Sequence, residues 1–327
     1  MTTLPCPPLS KGGIGGVKGW KRLNHDPVFD LKELNEISQA GIERLSSMQC
    51  SDGGWGWFSG GGEQSYPHTT AVVVHGLQIA RQADLISPAY QGGDMGGGML
   101  ERGILWLTNY QAGEIRKIKN APGKVKPWKD KADALDAFVF MILNDADTEN
   151  GEMRDFLYRD RIDLPVYAKA MFGLALVKTA QTEKLQMIMK NIEQFVQIDK
   201  ENQTSYLKLP ENNCWWCWYG SEIEADAYYL KLLSRTTPLD DKASGLVKYL
   251  LNNRKHSTYW NSTRDTAVCI EAMADYMKAT GEDSPNMTVE VWLDGTKRKE
   301  VKIDKSNLFS FDNQLVVFGD AVEAGEH

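Results

Sequence analysis

Glycine–tryptophan links between segments of helical period constrain this chain more than any other feature. Asp52-Gly53-Gly54-Trp55-Gly56-Trp57-Phe58 separates an amphipathic segment ending at Gln49 from an apolar one beginning near His68. Glycine supplies backbone conformations that a side chain would forbid, so a tight link can lie close against its neighbours. Each indole brings a large apolar area and one N–H, which suits a link half-buried between two helices. Weaker copies follow at Trp215-Trp216-Cys217-Trp218-Tyr219-Gly220 and at Tyr259-Trp260 before Asn261-Ser262. Repetition of helix, aromatic link and helix predicts stacked helical hairpins.

The apolar spacing predicts helices over 31–49, 68–83, 99–112, 132–144, 150–160, 165–179, 183–198, 221–234, 240–253 and 262–279. They alternate in character. Residues 31–49 are half-polar, with Leu31, Leu34, Ile37, Ile42, Leu45 and Met48 on one stripe, whereas 68–83 is apolar nearly all round. Two concentric layers explain this alternation: inner helices touch neighbours on several sides, and outer helices face water on one. The predicted fold is all-α, an α/α toroid of helical hairpins over 25–285; a linear solenoid is the alternative. Residues 1–24 lack periodicity and read as an irregular lead-in.

Several inner helices begin alike. Ser221-x-x-Glu224 and Ser262-x-x-Asp265 have capping-box spacing, and Ser65-Tyr66-Pro67 and the Asp163–Pro165 start supply Ser, Asp and Pro to the same end. Gathered on one rim, such starts make a polar, aromatic-lined mouth. Its candidate rim and packing residues are Trp55, Trp57, Tyr66, His68, Trp215, Trp216, Trp218, Trp260 and Asp265. After Gly281 the period changes to two: Val289, Val291 and Leu293 alternate, Asp294-Gly295 makes a hairpin turn, and Val301 and Ile303 alternate again. A further strand run is Leu315-Val316-Val317-Phe318. Roughly 40 residues of strand do not complete a domain, so 286–327 read as part of one.

Composition excludes several classes of function. A formal net charge of -7 argues against nucleic acid, which needs a basic footprint. No apolar run reaches the roughly 18 residues of a membrane span. Five cysteines (Cys6, Cys50, Cys214, Cys217, Cys269) are too few and scattered for a disulfide framework. The Cys214-x-x-Cys217 pair lacks the further ligands of a zinc site, and the histidines lack metal-ligand spacing. Asp145-Ala146-Asp147 falls at a helix end, and Glu222, Glu224 and Asp226 at a helix start, where the macrodipole accounts for acids. No catalytic residue, metal ligand or cofactor site is assigned. Asn261-Ser262-Thr263 is a glycosylation-type sequon that also caps a helix, and capping is the preferred reading.

The run from Gln49 to His75, with Tyr259-Trp260-Asn261-Ser262-Thr263-Arg264-Asp265-Thr266-Ala267, resembles the thioester-containing domain of bacterial α2-macroglobulin-like proteins. That resemblance covers about residues 25–285. It implies an α/α toroid within a large extracytoplasmic endopeptidase inhibitor whose partners are proteases and the remaining macroglobulin domains. It also implies that 286–327 belong to a flanking complement-type β-sandwich. In the family a Cys sulfur is joined to a Gln carbonyl within a C-x-E-Q motif. This chain has no such motif: Gly60-Gly61-Gly62-Glu63-Gln64 places Gly61 where the Cys would stand, and Cys6-Pro7-Pro8-Leu9 supplies neither Glu nor Gln. The expectation is therefore a truncated toroid without its first, reactive hairpin and without a thioester. The alternative from another class is an enzyme on the same toroid, a terpenoid cyclase or a zinc prenyltransferase. Asp145-Ala146-Asp147-Thr148 stops short of an Asp-rich acid motif, and Asp265 with Cys269 lacks a placed His.

Overall fold

A computed structural model describes residues 31–58, 62–85, 98–209, 221–255, 259–304 and 306–307. Among them are ten helices: α1 (Leu31–Met48), α2 (Pro67–Gln82), α3 (Met99–Asn120), α4 (Ala134–Asp145), α5 (Gly151–Arg159), α6 (Val166–Lys178), α7 (Thr182–Glu193), α8 (Glu222–Thr236), α9 (Asp241–Asn252) and α10 (Thr263–Thr280). Eight of them keep within two residues of the bounds the apolar spacing predicts; α3 runs on to Asn120 and α7 stops short at Glu193.

The even-numbered helices form an inner layer in which α2, α4, α6, α8 and α10 pack successively side by side. The odd-numbered helices lie outside them: α3 on α2 and α4, α5 on α4, α7 on α6, and α9 on α8. Sequence patterning causes this division. α4 and α6 are apolar on nearly every face and are buried along most of their length. α7 and α9 keep a charged side in water. Gly173 lets α6 and α8 approach: a Cβ there would lie 2.8 Å from Leu232 Cδ2. The arrangement is the α/α toroid predicted. The ring is joined where His75 of α2 meets Glu271 of α10, Nε2 to Oε2 3.2 Å.

Helix ends follow local chemistry. Asp133 and Asp136 form a reciprocal capping box at the start of α4. Gly281 ends α10 at φ 78°, a left-handed conformation that glycine adopts without strain.

The predicted confinement of strand to the last part of the chain is corrected by a hairpin of β1 (Val196–Asp199) and β2 (Thr204–Leu207). α7 accordingly stops at Glu193 instead of continuing to 198. The Phe195-Val196-Gln197-Ile198 stretch fits either period, and tertiary contact decides it. β2 packs against α9, where Gly245 leaves room for Ser205, and Tyr206 stacks on Tyr249 at 4.9 Å.

β3 (Asn286–Leu293) and β4 (Thr296–Asp304) form the second predicted hairpin. It turns at Asp294-Gly295, both at positive φ, as a two-residue hairpin loop requires. Met287, Val289 and Trp292 remain exposed on it. The Leu315–Phe318 strand run and the 1–24 lead-in lie outside the described residues.

Candidate functional site at the toroid rim

Two of the predicted tryptophans perform the same task at different places in the ring. The Trp55 indole N–H donates to Leu45 O of α1 at 2.9 Å, and its backbone N–H donates to Thr70 Oγ1 of α2 at 2.9 Å. Trp260 repeats this: its indole donates to Leu250 O of α9 at 2.8 Å, and its backbone N–H to Thr266 Oγ1 of α10 at 3.1 Å. Each buried indole thus staples the end of an outer helix to the first turns of the next inner helix. This is the role that the aromatic links imply.

Trp57 and Tyr66 are corrections. Trp57 is 59% exposed and Tyr66 46%, their rings meeting edge-on at 6.4 Å on the surface. The Glu63 side chain packs over Gly56 and its Oε1 accepts from Trp57 N at 2.9 Å, and the Trp57 ring lies beyond this contact on the surface. Ser65 also departs from its predicted role: it does not cap α2, which begins after Tyr66 at Pro67, but donates to Asp52 Oδ1 at 2.6 Å. Pro165 stands at the α6 cap position without a side-chain cap bond. Trp215, Trp216 and Trp218 lie outside the described residues, as do Cys6, Cys214 and Cys217.

The serine caps do more than satisfy their own helices. Ser221 Oγ accepts from Glu224 N at 3.0 Å and donates to Asp265 Oδ1 at 2.9 Å, while Asp265 N donates to Ser262 Oγ at 3.0 Å. The starts of α8 and α10 are therefore locked together by their caps. Arg264 adds an ion pair to buried Glu224 beside them. His68, in the first turn of α2, lies against Phe138 with ring centroids 5.9 Å apart. Burial, reinforced by the positive charge of Arg264, lowers its pKa to about 4, so the imidazole is neutral at physiological pH.

Two turns further along the same helices lies a second polar layer. His75, Lys231 and Glu271 each follow a rim residue by seven positions: His68, Glu224 and Arg264. Seven residues are close to two helical turns, so each pair shares a face. Lys231, only 1% exposed, and His75 both bond Glu271. Burial alone would raise the Glu271 carboxyl, but the His75 hydrogen bond and the nearby charges outweigh it and hold the pKa at about 2. Residue-type reading missed Lys231 and Glu271 because each stands alone among apolar neighbours. The shared seven-residue interval was the available signal.

Acids at helix boundaries divide into two kinds. Asp147 is exposed and pairs with Lys178 at 2.9 Å, as a turn residue would. Asp226 is not a solvated first-turn acid: it is fully buried, and its Oδ1 accepts from Leu207 N of β2 at 2.8 Å. Burial raises its pKa well above 3.8, the Leu207 bond opposing this and Glu222 adding to it. A raised folded-state pKa gives stability that is complete below the unfolded pKa and lost as pH rises through the folded value. Asp226→Asn keeps an oxygen for Leu207 and removes the ionisable group. Its stability relative to the parent protein is therefore expected to improve from about pH 4 to about pH 8 in urea denaturation. A difference independent of pH would contradict this assignment.

Cys269, one turn after Asp265, is buried, and burial with the charges of Asp265 and Asp226 pushes its thiol up, away from the thiolate that metal ligation needs. Among the described residues no group of His, Cys, Asp and Glu is placed to hold a metal ion, and no helix is long and apolar enough to cross a membrane.

This ring of hairpins with stapled tryptophan links matches the family model of the A-macroglobulin TED domain over residues 22–276. The chain belongs to that family. Alpha-2-macroglobulin of Thermotoga maritima is 25% identical over 257 residues, covering 77% of this chain and 13% of that protein. An alpha-2-macroglobulin homolog of a Nostoc species is 27% identical over 276 residues, covering 82% of this chain and 13% of the relative. The TED-family chain thus spans about an eighth of the length of these relatives. Its fold is similar to native alpha-2-macroglobulin of Escherichia coli from domain MG7 to the C-terminus, with TM-score 0.52, 18% identity, and 84% and 38% of the two chains covered. It is also similar to Salmonella alpha-2-macroglobulin reacted with methylamine, with TM-score 0.53, 16% identity, and 86% and 17% covered.

Proposed function

We propose that this chain is the toroid wall of a larger α2-macroglobulin-type protease-trapping protein, and that it carries no reactive thioester of its own. The family match, which spans the hairpin ring, supports the first part. The sequence supports the second, since no cysteine is followed by x-Glu-Gln. Cys50 Sγ lies 3.8 Å from Glu63 O, a thiol facing a backbone carbonyl next to Gln64. In this reading the chain acts as a structural element of an inhibitor and not as a catalyst. Its partners are proteases, engaged through the whole protein, and the other macroglobulin domains, and it works outside the cytoplasm. Residues 25–285 form the toroid. Residues 286–327 contribute strands to a flanking β-sandwich, whose remaining strands would cover Met287 and Val289 of the exposed β3–β4 ladder.

Intact mass and methylamine treatment test the thioester statement. A thioester forms with loss of one ammonia, and methylamine opens it with release of a thiol. The expected result is the sequence mass and no new thiol on methylamine treatment. A deficit of one ammonia that methylamine reverses would overturn the proposal and direct attention to Cys50 beside Glu63-Gln64.

A further inference from the structure

At the rim opposite the interlocked caps, the C-terminal ends of α6 and α8 and the side of α7 enclose a groove of about 540 Å³. Its floor and one wall are apolar: Leu176 and Val177 come from the last turns of α6, and Leu185 and Met189 from α7. Lys190 of α7 and Arg235 of α8 line it from different helices. Among the described residues neither forms an ion pair, in contrast to Lys231 and Arg264 of the inner ring. Each also complements the dipole of its own helix, which explains its place near a C-terminus. Dipole complementation does not require two cations to converge on one apolar groove. The one acid on the lining, Glu193, is engaged by Lys242 at 2.7 Å and does not neutralise them.

We propose that this groove binds a short acidic peptide segment, an apolar side chain seated on Leu176, Val177, Leu185 and Met189 with flanking carboxylates on Lys190 and Arg235. The volume falls within the range of about 300–1,000 Å³ typical of ligand sites. The charge arrangement selects the occupant. Two cations from different helices match two carboxylates on either side of an apolar anchor, and the groove is partly open to solvent, as a continuing peptide chain needs. A single-headed amphiphile such as a fatty acid would satisfy one cation only. This inference does not rest on the thioester or on protease trapping.

The test is fluorescence anisotropy on the full chain with a fluorescein-labelled Asp-Glu-Leu-Leu-Glu-Asp peptide. Saturable binding is expected, weakening as salt is raised and on the order of tenfold or more in Lys190→Glu/Arg235→Glu. Both positions are exposed, so the variant is expected to keep the parent circular dichroism spectrum. Met189→Ala should also weaken binding without altering its salt dependence. An Asn-Gln-Leu-Leu-Gln-Asn peptide should bind far more weakly. No saturable binding, equal binding of the neutral peptide, or no loss in the charge-reversed variant would each overturn the proposal. So would displacement of the peptide by equimolar oleate, which would assign the groove to a lipid carboxylate.

Discussion

Replacing Trp260 by Ala is expected to lower the unfolding free energy by about 3–5 kcal/mol, whereas Trp57→Ala changes it by no more than about 0.5 kcal/mol. Both residues occupy aromatic links, so the contrast isolates burial from residue type. Trp260 is 4% exposed and makes two hydrogen bonds, one from the indole to Leu250 O of α9 and one from its own amide to Thr266 Oγ1 of α10. Truncation removes the ring from a packed space and strands Leu250 O at the end of α9, and both effects act in the same direction. Trp57 touches Tyr66 edge-on and is otherwise open to water. Trp55→Ala should resemble Trp260→Ala, since it makes the equivalent bonds to Leu45 and Thr70. Urea denaturation of the three variants is the measurement. Losses below about 1 kcal/mol at both Trp55 and Trp260 would show that the links do not hold the hairpins together.

Why the helices were legible and the site less so follows from how each is encoded. Helical positions in 68–82 or 166–178 depend on apolar residues at many places, so a single misreading changes little. The inner layer was legible for the same reason: α4 and α6 are apolar on nearly every face and bury most of their length, although Val72 and Ile79 of α2 stay exposed. The β1–β2 hairpin has no such redundancy. Each strand is four residues long, and its stability comes from α9 and from Asp226 of α8, which no local pattern reveals. Trp57 failed for a related reason. Link composition says that some indoles are buried, and only the path of the backbone through Gly56 says which.

The polar residues show the limit more sharply. Ser221 and Ser262 were readable as caps, because capping is local. That the Ser221 hydroxyl also reaches Asp265 of α10 depends on the two helices starting at the same level of the ring. Glu224 reads as an acid complementing a helix dipole until Arg264, forty residues later, is placed against it. Ring closure is a long-range property, and the groups that perform it are individually unremarkable in sequence.

That closure carries the largest electrostatic consequence. Glu271→Ala is expected to destabilise the protein by about 3–5 kcal/mol, the usual result of breaking a buried ion pair by removing one partner. Lys231 has almost no exposure and would be left without its counterion, and His75 would lose its bond to α10. Removing Lys231 as well should restore much of the loss. Glu271→Leu/Lys231→Met exchanges the pair for apolar side chains of similar volume, and such replacements are often neutral or better. The pH dependence has a defined sign. A carboxyl whose folded pKa is depressed from 4.5 to about 2 contributes stability that is complete above 4.5 and lost as pH falls through 2. The double variant should therefore lose less stability than the parent protein on acidification through that window. Denaturant titrations of the parent, the single variant and the double variant at neutral and acid pH would measure all three expectations. A single-variant loss below about 1 kcal/mol would mean that Lys231 finds another counterion or reaches water, and that apolar packing alone closes the ring.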